Sequence, residues 1–397
     1  MMTELADERL DTTLQRELDE LRCAGLYRSL RRTCGRQGPR MNVDGQEVLM
    51  VAGANYLDLA GDPQVIQAAN DATEEFGCAA GSARLISGNL TLHEALEQDL
   101  ASFIGSDAAL LFSSGYAANL GVIATLAGPG DVIVSDSWNH ASIIDACRLS
   151  GAETRVFRHN DPGDFERVLQ SISGYRRRIF AVDGVFSMDG DSACLSELVP
   201  LARQHNMITV VDDAHGFGIL GEQGRGSAEY HGVEVEVQIG NLGKALGSFG
   251  AFVACSNEMR DYLVNRCRTF IFTCALPPSA VAAARCALKI AAAEPLRRQG
   301  LLDRSAQLRD GLTSFGYDVG VSTTHIVPAI IGENEPTMRL CEAALGRGVF
   351  AQGIRYPAVP RDTARIRFTP MCGHSAEDID TVIQLFAEFR CRPELLS

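Results

Sequence analysis

The 397-residue sequence has no apolar run long enough to cross a bilayer, for which about 18 uninterrupted residues would be needed. Its first segment, MMTELADERLDTTLQRELDELR, is charged almost from its start and lacks the apolar core of a signal peptide. The cysteines, at 23, 34, 78, 147, 194, 255, 267, 274, 286, 341, 372 and 391, stand singly, with no CxxC pair and no Cys/His cluster at zinc spacing. That pattern excludes a zinc ribbon or a disulfide framework, so reduced thiols and no metal are expected. Positive charge is also short. With 36 Lys and Arg against 50 Asp and Glu the net charge is -14, and such a field repels the anions that nucleic acids and membrane surfaces present. No internal repeat or low-complexity tract is found. These absences lead us to expect a soluble, cytoplasmic protein without a nucleic-acid or membrane partner.

What is present is ordinary globular material, 46% apolar and 22% charged, enough for two or three units at roughly 150 residues each. Residues 4–32 carry Leu14, Leu18, Leu21, Leu26 and Leu30 at helical spacing among many charges, which predicts a surface helix leading into the body. EVLMVA (47–52) is strand-like. Beyond residue 64, short β-rich runs (AALLF at 108–112, DVIVSD at 131–136, RIFAVDGVFS at 178–187, MITVVDDAH at 207–215) alternate with helical stretches such as 92–105 and 196–206. Alternation of this kind predicts an α/β fold, a mostly parallel sheet with helices on both faces. After the apolar helix 279–294 the elements shorten, with strands at 325–332 and 365–370 and a linker-like loop at 355–364. We expect a lead-in segment at 1–45, a large domain at 46–289 and a smaller α+β domain at 290–397.

Chemistry concentrates in a few stretches. In IGNLGKALGSFGAFVA (239–254) a single lysine, Lys244, stands among small residues that suit a ligand, although taken alone the stretch reads first as a glycine-rich surface turn. A phosphate-binding P-loop is excluded, because that motif needs glycine at 238 and Ser or Thr at 245, where Gln238 and Ala245 stand. VVDDAHG (210–216) puts Asp212, Asp213 and His215 at the carboxyl end of a strand, where open α/β sheets bind ligands. An aspartate that keeps a pyridine nitrogen protonated, with a lysine able to form a Schiff base, is the pairing that pyridoxal phosphate (PLP) chemistry requires. Either aspartate could instead cap a helix. LLFSSGYAANLGVI (110–123) reads as strand, turn and helix, so the backbone of Gly115 and Tyr116 would meet an anion at a helix N-terminus. His140, in SWNHASIIDA, could cap a helix or lie over an aromatic cofactor.

Taken in order, seven blocks resemble the α-oxoamine synthases, fold-type-I PLP enzymes: GSARLISGNLTLHEALE (81–97), SSGYAAN (113–119), NHASIIDA (139–146), GVFSMDGD (184–191), VVDDAHGFGILGEQGRG (210–226), LGKALGSFGAF (242–252) and TARIRF (363–368). The resemblance implies a fold-type-I transferase that joins an amino acid to an acyl thioester with loss of carbon dioxide. It makes Lys244 the Schiff-base lysine and the base for the substrate's Cα proton, and Asp212 the partner of the pyridine nitrogen. His215 would contact the cofactor's phenolic oxygen and later the acyl carbonyl, where a donor stabilises developing charge. His140 would stack on the ring, Ser187 would hydrogen-bond the cofactor, and Gly115 with Tyr116 would hold its phosphate. Arg367 would clamp the amino acid carboxylate with its planar fork, while Arg365 would be structural. A homodimer with a shared active site is implied as well.

Four stretches depart from the family pattern. Asn241 replaces a phosphate-binding threonine and is expected to weaken or rearrange phosphate binding. Thr273-Cys274 replaces two hydroxyl residues that reach the neighbouring subunit's phosphate, a role Thr273 is expected to keep. Asp58 stands where glycine is usual, affecting either the acyl-donor entrance or backbone packing, and TPMCGH (369–374) replaces a Leu/Ser-Ala-Ala-His ending. Several blocks, and Asn89 in the substrate region, are closest to members that use alanine and a pimeloyl thioester. Another amino acid and acyl pair is the alternative, with an aminotransferase or a non-catalytic partner subunit further off.

Overall fold

Runs of apolar and β-branched residues form a seven-stranded sheet in the computed structural model, which describes residues 10–396. The spatial order is Ala108–Phe112, Ala251–Cys255, Val237–Asn241, Ile208–Asp212, Arg178–Asp183, Val132–Asp136 and Glu153–Phe157. Ala251–Cys255 is antiparallel to both neighbours, and the pairings from Val237–Asn241 to Glu153–Phe157 are parallel. Period-two alternation sends Ile133, Ile179 and Ala181 into one core and Val132, Val134, Phe180 and Val182 into another, so both faces are covered. Each fully buried Phe or Leu here contributes roughly 1.5–3 kcal/mol. The exception is Glu153–Phe157, whose first four residues are exposed. This polar edge strand was not legible in the sequence, and its charges discourage pairing with another chain.

Two expected strands end early. Arg178–Asp183 and Ile208–Asp212 both stop at an aspartate, and the segments expected to extend them to 187 and 215 are turns. After Asp183 the chain folds back on itself, with Phe186 N–H donating to the Asp191 carbonyl.

The C-terminal part holds an antiparallel sheet of Val327–Gly332, Ala364–Phe368 and Gln352–Ile354, packed with helices Pro295–Ser314 and Ala376–Arg390 around Leu308, Phe368 and Phe386. Gln46–Met50, expected with the large unit, pairs in parallel with Val349–Phe350, and Leu49 and Val51 join this core. The division at 290 stays our proposal for the domain plan. The N-terminal helix expected over 4–32 begins outside the described residues; the described part runs Leu10–Cys23, buries no residue, and ends before Leu26 and Leu30. Among the described residues no helix is long and apolar enough to cross a membrane, and no His/Cys/Asp/Glu group could hold a metal.

Candidate active site

Four parallel strands end, on the same side of the sheet, in Asp136, Asp183, Asp212 and Asn241. Asp212 is buried; its Oδ1 accepts the Ala214 N–H at 3.0 Å and its Oδ2 accepts from Asn119 Nδ2 at 2.5 Å. Asn119 lies on the helix Gly115–Leu126 and also donates to Ser142 Oγ at 2.9 Å. Its neighbour Asp213 has the capping role that either aspartate could have taken. Asp213 Oδ2 accepts from Ser227 N–H and Gln238 Nε2, each at 2.8 Å, and burial pushes its carboxyl up to about 7.

Lys244 sits in the turn after Val237–Asn241, with its Nζ 2.9 Å from His215 Nε2. Burial lowers its ammonium to about 8, against the pull of Asp212 and Asp183. His215 Nδ1 is 2.8 Å from the hydroxyl of Tyr56. Burial, and then the charge of Lys244, hold this imidazole well below the usual histidine range, so the ring is neutral. Tyr56 is fully buried and its phenol is pushed to about 12, so Lys244, His215 and Tyr56 form a chain with the hydroxyl protonated. Tyr56 is a site residue that the sequence reading missed, although it lies in the same NYLDL stretch as Asp58.

His140 caps the helix Ala141–Ser150 through Nδ1, which is near Ser142 N–H (3.3 Å) and Oγ (2.7 Å), while the residue remains exposed. Both readings of this histidine are therefore compatible, since capping uses one ring edge and leaves a face open. Its own N–H donates to Asp183 Oδ2 at 2.6 Å. Asp183 is driven well above the usual carboxylate range by burial and then by Asp212.

The helix beginning at Gly115 is capped by Ser114 Oγ, which accepts the Ala117 N–H. A Cβ at Gly115 would come within 3.2 Å of Asn241 Nδ2, so glycine keeps the helix terminus open and the amide of Asn241 faces it. Asn241 Oδ1 is occupied by the Gly243 N–H at 2.7 Å. Tyr116 is exposed and its hydroxyl donates to Asp145. Arg365 is taken up by Asp189 and by the Met188 carbonyl. Arg367 donates from Nη1 to the Ser187 carbonyl at 3.3 Å and keeps a buried Nε without a partner.

Two named residues lie outside this cluster. Asn89 is exposed, with its Oδ1 accepting from Arg84 Nε at 2.6 Å and its Nδ2 donating to Glu94 at 2.7 Å. Arg84 also grips Glu97 with two bonds of 2.8 and 2.9 Å, which ties the 81–90 loop to the sheet because Glu97 accepts the Leu111 N–H. Thr273 is half-buried and lines a small cleft with Ser113 and Arg84, next to the exposed Cys274. Asp58 has φ +51°, a left-handed conformation that glycine adopts freely and aspartate tolerates, which accounts for glycine being usual at this position.

The donor set fits pyridoxal phosphate. A lysine of lowered basicity, an aspartate for a ring nitrogen, an open histidine face, a helix terminus clear of side chains and an unpartnered arginine nitrogen surround one region. The comparisons agree. The family "Aminotransferase class I and II" matches residues 47–386. The chain is 49% identical over 377 residues to the 8-amino-7-oxononanoate synthase of Geobacter sulfurreducens, covering 94% of this chain and 96% of that protein. It is 44% identical over 378 residues to 8-amino-7-oxononanoate synthase 2 of Bacillus subtilis, covering 95% and 97%. Among solved structures, the Sphingomonas wittichii serine palmitoyltransferase superposes with a TM-score of 0.91 at 32% identity, covering 99% and 100% of the two chains. A serine palmitoyltransferase from S. paucimobilis with bound PLP gives 0.90 at 32%, covering 95% and 96%. The chain belongs to the class I and II aminotransferase family, in its α-oxoamine synthase branch, and its cofactor is pyridoxal phosphate.

Proposed function

We propose that the protein joins L-alanine to a pimeloyl thioester with loss of carbon dioxide, giving 8-amino-7-oxononanoate and free thiol in the synthesis of biotin. The observation that carries this reading is the Lys244–His215–Asp212 constellation in a chain 44–49% identical, over more than nine-tenths of its length, to curated 8-amino-7-oxononanoate synthases. The serine palmitoyltransferases are less similar, at 32%.

Pyridoxal phosphate, when bound, supplies an aldehyde for the amine and a ring that withdraws electrons from the substrate's Cα. The chain's own residues supply the rest. Lys244, with a basicity near neutral pH, takes the Cα proton and later returns one. Asp212, braced by Asn119, keeps the ring nitrogen protonated. His140, whose ring face is open, would lie against the cofactor ring, and Ser187 would hydrogen-bond the cofactor. Gly115 and Tyr116 offer backbone N–H groups to the phosphate, with Asn241 Nδ2 beside them. His215, neutral and oriented by Tyr56, donates first to the phenolic oxygen and then to the acyl carbonyl as negative charge develops there. Arg367 holds the carboxylate with the nitrogen it leaves unpaired.

A cytoplasmic homodimer with a shared site is part of the proposal. Thr273 would reach the neighbouring phosphate, Asn89 would contact the substrate, and the exposed Leu85, Ile86 and Phe272 beside them in sequence supply apolar surface for the subunit contact. The test is thiol release from acetyl, succinyl, pimeloyl and palmitoyl thioesters with alanine, glycine or serine. Selective turnover of pimeloyl thioester with alanine is expected. Preference for any other pair overturns the substrate assignment, and amino transfer to a keto acid without thiol release overturns the reaction.

A further inference from the structure

His159 lies outside the catalytic cluster, yet two carboxylates from two different loops converge on it. Its Nδ1 is 3.0 Å from Asp136 Oδ1 and its Nε2 is 3.0 Å from Asp191 Oδ2. The three side chains are nearly or fully removed from solvent. A neutral imidazole has one N–H and could satisfy only one of these acids, leaving the other buried against a lone pair. Two carboxylates, one at each ring nitrogen, are matched by the two N–H donors of the cation. Burial opposes that charge, but the bonds to Asp136 and Asp191 outweigh it and push the imidazole to about 9.

Each acid anchors one wall of the site. Asp136 ends its strand and accepts the N–H groups of Trp138 (2.7 Å) and Asn160 (2.8 Å). Asn139, which follows Trp138, donates to the Ala181 carbonyl and accepts the Asp183 N–H, which sets the backbone of His140. Asp191 closes the turn that carries Ser187 and Asp189, and these residues hold Arg367 and Arg365. Trp138 covers the histidine, its ring stacked on His159 at 3.8 Å and 13°, with Phe186 edge-on at 4.3 Å.

We propose that His159 is a positioning residue, a buried cation that locks the His140 loop and the Ser187 loop together and so fixes the cofactor-stacking face relative to the carboxylate clamp. The other ionisable groups around it do not replace this charge. Asp183, on the adjacent strand, is pushed well above the usual carboxylate range by burial and then by Asp212, and it faces the His140 N–H instead of His159. Burial pushes the Cys194 thiol up to about 11. Arg158 points to solvent and pairs with Asp161 and Asp164. The functional part of this inference rests on the α-oxoamine synthase reading; the protonation part does not.

Trp138 is the only tryptophan in the chain, so its emission reports on this contact directly. A protonated imidazole stacked on an indole quenches it. The full chain, with and without pyridoxal phosphate, is titrated through alkaline pH. The expected result is a one-proton rise in emission of about twofold as the cation–π contact is lost, centred near pH 9. His159→Gln should remove the transition. Asp191→Asn, which keeps the histidine but drops one acid, should move the midpoint down by about one unit and serves as the second probe if the glutamine variant does not fold. With cofactor and substrates, His159→Gln should raise KM for the amino acid about tenfold, more than it lowers kcat. A flat wild-type titration, or a transition that survives in His159→Gln, overturns the cation. A transition lost together with an unchanged KM and an unchanged cofactor absorbance band overturns the positioning role. None of these outcomes depends on which acyl chain is used.

Discussion

Replacing Gly373 by alanine tests whether two departures from the family pattern are one adjustment. Asp58 occupies a usual glycine position at φ +51°, and Gly373 stands where the Ala-Ala-His ending has alanine. A Cβ at Gly373 would lie 2.3 Å from Asp58 Oδ2 and 3.0 Å from Pro39 Cγ. Asp58 would have to swing away, which breaks the 3.2 Å bond it accepts from Asn55 Nδ2. Lost hydrogen bonding and overpacking together predict a destabilisation of about 1–2 kcal/mol. In a chain that also carries Asp58→Gly the obstructing oxygen is gone. The same alanine should then cost about 1 kcal/mol less, since only the 3.0 Å approach to Pro39 Cγ remains and the unfolded chain loses freedom. Chemical denaturation of the wild type, both single variants and the double variant, at one protein concentration, closes the cycle. A coupling of about 1 kcal/mol is expected, and one below about 0.5 kcal/mol refutes the compensation. Activity should follow, because Cys372 N–H donates to the Tyr56 carbonyl at 2.8 Å and Tyr56 orients His215.

Lys244→Ala should remove the Schiff-base absorbance and at least about a thousandfold of rate, as expected when a covalent catalyst and its proton transfers are lost together; near-normal turnover sinks the mechanism. Because burial lowers the Lys244 ammonium to about 8, cofactor uptake by the wild-type chain should accelerate as pH rises through that value and then level off. An uptake rate that is flat through pH 8 contradicts the assignment. Arg367→Lys swaps a planar fork for a point charge and should raise KM for alanine about tenfold or more while changing kcat less. An unchanged KM, measured at saturating thioester, removes Arg367 from the clamp.

The fold was legible at most strands buried on both faces, because they are nearly uninterrupted apolar runs, but not at Val237–Asn241 and Ala251–Cys255, since the glycines and small residues around Lys244 mask them. AALLF became Ala108–Phe112 without adjustment. It was illegible at the polar edge strand Glu153–Phe157, where exposure removes the apolar signal. The same limit explains the overlong reading of RIFAVDGVFS. Its composition stays apolar past Asp183 because Val185 and Phe186 are buried in a turn, and burial alone does not distinguish a turn from a strand. The pairing of Gln46–Met50 with Val349–Phe350 joins segments far apart in sequence, and no local pattern encodes that partner.

The site follows the same logic one level up. Lys244, Asp212 and His215 were legible because their chemistry is rare in combination, whereas the residues that hold them look ordinary. Asn119 reads as one more polar position on a helix, yet it bonds both Asp212 and Ser142. Tyr56 reads as a core aromatic, and only the fold brings its hydroxyl to His215, 159 positions away. Of the four strand ends, Asp212 and Asn241 stand in recognisable blocks, while Asp136 and Asp183 resemble any aspartate that closes a strand. Yet Asp183 receives the His140 N–H and Asp136 receives His159, so the two unremarked ends set where the two recognised ones can act. Supporting residues of this kind become visible only when buried charge is accounted for group by group. A carboxylate with no solvent must have a donor, and asking which donor leads from Asp136 to His159 and from there to the opposite wall of the site.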